Sequence, residues 1–114
     1  MFITDSTLRA AGACHEQRIL FRRCFPNGVV VTQGLCIVYA FDFDFGWAGR
    51  YLLDGDNRDS FLAAMFKLRR DSVAEAYVMP ACGCKECVLT IREIDDRCRL
   101  AAAELFAKHA MEEV

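Results

Sequence analysis

Two long runs of helical periodicity, over residues 57–78 and 87–108, do most to limit what this chain can fold into. In the first, Phe61, Leu62, Met65, Phe66, Arg69, Val73 and Tyr77 occupy the i, i+4 rows of one helix. In the second, Cys87, Ile91, Ile94, Cys98, Ala101, Leu105 and Lys108 alternate steps of four and three, a heptad seam that ends on a lysine able to keep its ammonium in water. Only a short connection carrying Pro80 and Gly83 separates the two runs. Long amphipathic helices joined by a short link pack most economically as an antiparallel hairpin, with the remaining elements laid on its apolar face.

The first half is cut into shorter pieces by its capping and turn residues. Thr4, Asp5 and Ser6 supply N-cap oxygens and Gly12 a stop, which predicts a helix over 5–11. Ile19, Leu20, Phe21, Cys24 and Phe25 recur at helical spacing between Cys14 and Phe25, and Pro26-Asn27-Gly28 ends that helix in a turn. The β-branched Val29-Val30-Val31 suits one extended segment that pairs with Phe2-Ile3 in a very short β ribbon. Thr32 caps a helix over 33–41, and Asp42 or Asp44 caps one over 45–53 that carries Trp47 and Tyr51 before Asp54-Gly55-Asp56-Asn57 breaks the chain. The expected architecture is mainly α: one compact helical domain over 1–114, with a C-terminal antiparallel helix hairpin over 57–114 and a very short β ribbon near the N-terminus.

A hydrophobic content of 54% and nine Phe give 114 residues enough apolar surface to fold without staples. No apolar run approaches the roughly 18–20 residues that span a bilayer, so a soluble protein without a membrane partner is expected. Met1-Phe2-Ile3-Thr4-Asp5 has neither a basic leader nor a cleavage pattern, which points to the cytoplasm. The seven cysteines are odd in number and come without a secretory leader, which favours reduced thiols. Cys14, Cys24, Cys36 and Cys98 read as small buried hydrophobes. With 14 basic and 16 acidic residues, net charge −2, the chain has neither a strongly cationic surface for phosphates nor a dense anionic one that mimics DNA. Nucleic acid is disfavoured as a partner.

The most pointed local signal is Pro80-Ala81-Cys82-Gly83-Cys84-Lys85-Glu86-Cys87, three thiols at a helix start, where amides and dipole favour thiolate. Cys82, Cys84 and Cys87 offer zinc three soft ligands, but a structural site normally takes four. Cys98 follows Cys87 along one helix at about 16 Å, too far to share a metal with it. The fourth ligand would come from His15, Cys14, Cys24, Cys36, a carboxylate or a second subunit. Cys84-Lys85-Glu86-Cys87 also has the C-x-x-C redox spacing, without the βαβ context of thioredoxin-like proteins. A thiol-rich turn with no ligand is the third reading, and the one preferred.

Other constellations point first to structure. Phe41-Asp42-Phe43-Asp44-Phe45-Gly46-Trp47 alternates rings and acids, which suits core rings and helix caps better than a recognition surface. Asp54, Asp56 and Asp59 resemble the start of a calcium loop, but Met65 stands where its acidic twelfth residue belongs. Arg18, Arg22, Arg23 and Lys67, Arg69, Arg70 read as solvated helix faces. His15 and His109 have no nucleophile or acid at a catalytic spacing. No phosphate loop, dinucleotide fingerprint or paired-carboxylate motif is present, so an enzyme is not expected and no cofactor beyond zinc is implied.

The stretches Thr7-Leu8-Arg9-Ala10-Ala11-Gly12-Ala13-Cys14, Leu20-Phe21-Arg22-Arg23, Phe25-Pro26-Asn27-Gly28-Val29, Thr32, Leu35-Cys36 and Asp44-Phe45-Gly46-Trp47-Ala48 resemble a family of small phage and prophage accessory proteins. The resemblance covers Thr7 to Leu53, in the half 1–53, and stops before the cysteine segment. It implies a mobile-element accessory protein in a bacterial host cell, for which stoichiometric inhibition of a defence system, as by anti-CRISPR proteins, is a frequent role. It carries over no catalytic residue. The leading expectation is therefore a non-enzymatic protein that binds a host protein or complex through the exposed face of the C-terminal hairpin. The alternative is a zinc-stabilised regulatory or nucleic-acid-associated module built on Cys82, Cys84 and Cys87. A homodimer is compatible with either, because a heptad seam pairs between chains as readily as within one.

Overall fold

The computed structural model describes residues 1–77 and 85–112, with side-chain surroundings for 1–74 and 91–112. Within them the order is β1 (Phe2–Ile3), α1 (Asp5–Ala10), α2 (His15–Cys24), β2 (Val29–Val30), α3 (Gln33–Val38), α4 (Phe45–Leu52), α5 (Gly55–Tyr77) and α6 (Lys85–Met111). The protein is mainly helical, as its periodicity predicts. None of these helices is long and apolar enough to cross a membrane.

Local chemistry sets the element ends. At α1 the Thr4 hydroxyl accepts from the Thr7 amide (3.2 Å) while the Thr4 amide donates to the Thr7 hydroxyl (3.3 Å), a reciprocal capping box. Thr32 caps α3 by accepting from the Leu35 amide, and of the two candidate acids before α4 it is Asp44 that caps, accepting from the Trp47 amide at 3.0 Å. The ribbon pairs Phe2 with Val30 and Ile3 with Val29 in antiparallel register. Gly28, at φ +84°, turns the chain into β2; a Cβ there would lie 2.7 Å from the Phe2 ring and 2.8 Å from the Ile3 carbonyl oxygen, so the site needs glycine for both conformation and space.

An ion pair joins α1 to α2. The Arg18 guanidinium donates through Nε and Nη2 to the two carboxylate oxygens of Asp5, at 3.2 and 3.0 Å. Hydrogen bonding from Arg18, with the charges of Arg18, Arg22 and Arg9 behind it, holds the Asp5 carboxyl below its ordinary pKa. A lowered carboxyl pKa stabilises the fold above the unfolded-state value, about 4, and that contribution disappears as pH falls through the folded value. Asp5→Asn is therefore expected to lower the urea midpoint at neutral pH by a modest amount, since the pair is solvent-accessible. The wild-type and variant midpoints should draw together as pH falls from about 4 into acid; a gap that does not narrow over that fall would contradict this assignment.

α6 is the centre of the packing and meets α3, α4 and α5. Ser72 faces Cys98, hydroxyl to thiol at 2.9 Å, and the Asn57 side-chain amide donates to the His109 carbonyl at 2.6 Å. Advancing along α5 thus means retreating along α6, which is the antiparallel hairpin expected. Its seam uses different rows from those the periodicity suggests. On α5, Phe61 and Met65 are buried with Leu68 and Ser72 beside them, while Phe66 and Val73 turn to solvent. On α6, Ile94, Cys98 and Leu105 keep to the expected seam, whereas Ile91 is exposed. A second face of α6, formed by Ala102, Ala103, Phe106, Ala107 and Ala110, is buried as well. Two faces are covered because two layers of helices pack on one rod.

β1, α1, α2 and β2 form an N-terminal layer that meets the helical core largely through aromatic rings. Phe25 packs edge-on against Tyr39 (5.2 Å between centroids), and Phe21 and Phe25 each reach Phe43 at 6.3 Å. On the core side, Phe45 packs against Phe106 at 5.7 Å.

Candidate functional site

The segment from Phe41 to Phe45 links α3 to α4 and is fixed from two directions. The Asp42 and Phe43 amides both donate to the Tyr39 carbonyl, at 3.0 and 3.3 Å. From α2, the Gln17 side chain donates to the Asp42 carbonyl (3.3 Å) and accepts from the Asp44 amide (3.4 Å). This folding sorts the three rings: Phe45 is buried, Phe43 is half-buried among Phe21, Phe25 and Tyr39, and Phe41 is 50% exposed. The structural reading of the alternating run therefore holds for Phe43, Asp44 and Phe45 but not for Phe41.

Phe41 stands over a groove of about 810 Å³ that runs between this segment and the α5–α6 pair. Its other exposed apolar groups are Val73 of α5 and Ile91 of α6, 52% and 53% exposed, and its base is the more deeply set Met65, Leu68 and Ile94. Charge lies at the margins: Asp42, Arg69, and Asp95 held to Arg99 at 3.3 Å. Three large apolar side chains about half in water around one concavity, with charge outside them, match the arrangement of a protein-binding surface, an apolar centre inside a polar rim. Val73 and Ile91 belong to helical rows that periodicity assigns to the core, and Gln17 gives no sign in the sequence that it ties down the groove's edge.

The predicted site residues are placed as follows. Cys82 and Cys84 lie outside the described residues, and Cys87 falls in the first turn of α6, with its side chain outside them too. Of the four cysteines read as core, Cys36 is 1% exposed, and burial pushes its thiol up to about 11, so it stays protonated at neutral pH. Cys24 and Cys98 are half-buried. Cys14 departs from that reading: it precedes the first turn of α2 and is exposed, because the core-facing residue of α2 is Phe21. Among the described residues no group of three or more His, Cys, Asp or Glu is placed to hold a metal ion.

The basic residues do not gather into one patch. Arg18 and Arg22 are directed at Asp5, while Lys67 and Arg69 open onto different grooves. His15 is exposed on α2, whereas His109 is buried; a carbonyl can only accept, so its Nδ1 donates to Leu105 (2.8 Å), and its ring meets Phe61 edge-on at 5.8 Å. Both of those contacts are structural. Comparison of the chain with protein-family models, with curated proteins and with solved structures finds no match.

Proposed function

We propose that this chain is a non-catalytic binding protein that covers the working surface of a host protein or complex in a bacterial cell. The observation that carries this reading is the groove with Phe41, Val73 and Ile91 exposed around it. Aromatic and aliphatic anchors set in a concavity supply most of the affinity of a protein interface, and the acidic margin at Asp42 suits a partner segment with basic residues beside its apolar ones. The groove joins the resembling half, through Phe41, to the hairpin, through Val73 and Ile91. Its recognition surface is thus wider than the hairpin face expected from the sequence. With the resemblance to phage accessory proteins, the role we assign is stoichiometric inhibition of a bacterial defence system, in the manner of anti-CRISPR proteins.

The test is phage plating on strains that each carry one defined defence system and express the full chain. Plating is expected to be restored on at least one strain, and purified protein should form a fixed-ratio complex with a component of that system. Phe41→Asp combined with Ile91→Asp should abolish both while leaving the melting temperature close to wild type, because both side chains are already half in water. No restored plating across the panel, or restoration that survives the double substitution, would remove the reading. A concentration-dependent dimer lost in the same variant would assign the groove to a second copy of the chain instead.

A further inference from the structure

A second concavity lies on the other side of the Phe43–Phe45 segment, between the N-terminal layer and the helical core. It is a cavity of about 240 Å³ whose walls include Leu8, Phe21, Val31, Leu35, Phe45 and Phe106. Protein interiors pack as densely as organic crystals and hold few voids larger than a water molecule. The rings of Phe21, Phe25, Tyr39 and Phe43, packed on one another, form part of its wall. The polar groups around it are already occupied or neutral. Gln17 is bonded to the backbone of Asp42 and Asp44, the Asp44 carboxylate accepts from Trp47, and Cys36 is a thiol. Gly12, Cys14 and Asp44 line the cavity and are exposed, so it opens to solvent between the starts of α2 and α4.

We propose that this cavity is a binding site for a small neutral apolar molecule, an aromatic compound of one or two fused rings. An engineered apolar cavity of about 150 Å³ stays dry and takes up benzene, so a larger one with aromatic walls has room for a ligand the size of indole. An anion would meet the Asp44 carboxylate at the mouth and no cationic side chain on these walls, and the aromatic lining favours a flat ring over a flexible chain. The site shares the wall of Gln17, Phe43, Asp44 and Phe45 with the groove that carries Phe41, but its inference does not depend on the role given to that groove.

Indole is the probe. Titrated into the full chain with ¹³C-labelled methyl groups, it is expected to shift the resonances of Leu8, Val31 and Leu35 saturably, and to raise the melting temperature with the logarithm of its concentration above Kd. Ala48 lies on the wall, and Ala48→Phe should occupy the space with a side chain, so that both responses disappear while the variant remains folded. Should Ala48→Phe fail to fold, Ala13→Leu fills the cavity from the opposite wall and carries the same expectation. Methyl resonances in the wild-type chain that do not move saturably up to the solubility of indole would overturn the proposal. So would identical saturation in a folded, cavity-filled variant.

Discussion

Truncation of Phe106 to alanine is expected to lower the unfolding free energy by about 3–5 kcal/mol, the range for removing a fully buried ring. Phe106 is 1% exposed, packs against Phe45 and forms part of the cavity wall. Its loss would remove an apolar side chain from the one helix that meets α3, α4 and α5, and would enlarge a void that the surroundings already do not fill. Small domains are stable by only about 5–15 kcal/mol, so the change takes a large part of the total. Urea denaturation of wild type and variant measures it. A cost under about 1 kcal/mol would mean that the surroundings can close over the gap, and would contradict a Phe106 ring fully buried against Phe45.

Gly49→Ala should also destabilise, against the trend of helix propensity. Gly49 is buried in α4, where alanine would ordinarily add about 1 kcal/mol to helix stability. A Cβ built there overlaps the ring of Phe61, which is fully buried and cannot swing away into solvent. α4 must then lift from α5, and overpacking of this kind costs about 1–3 kcal/mol, occasionally more. The net effect expected is a loss of stability despite the better helix former. Phe61→Leu makes room, so the double variant should recover part of what the two single changes lose together, with a coupling of about 0.5–3 kcal/mol. A more stable Gly49→Ala protein would show that α4 and α5 do not approach as closely as described.

Local signals were the ones that could be read from the sequence. Thr4, Thr32 and Asp44 cap helices because a short side-chain oxygen beside a helix start has one effective use, and Pro26-Asn27-Gly28 turns the chain for the same kind of local reason. The rows that meet across the hairpin were less legible. Met65 and Phe66 are comparably apolar neighbours, and which of them faces inward depends on where α4 and α6 lie. Alanine was the main gap in reading α6. Ala103, Ala107 and Ala110 look neutral in a periodicity count, yet each is fully buried because its small size lets neighbouring helices come close. The groove and the cavity were hidden for a related reason, since each is a space left between elements distant in sequence. Phe41 shared its pattern with Phe43 and Phe45 and parted from them only in three dimensions.

The position of α6 in the chain affects how the molecule can be made. α3, α4 and α5 each pack on a partner that is synthesised after them, and the faces they turn to it are covered only once the segment from Ile94 to Ala110 is available. During translation the faces of α3, α4 and α5 that pack on α6 are therefore open, with the tendency of such surfaces to associate, until that helix is made. Closure of the helical core is in that sense governed by the delivery of one helix that follows its partners in the chain.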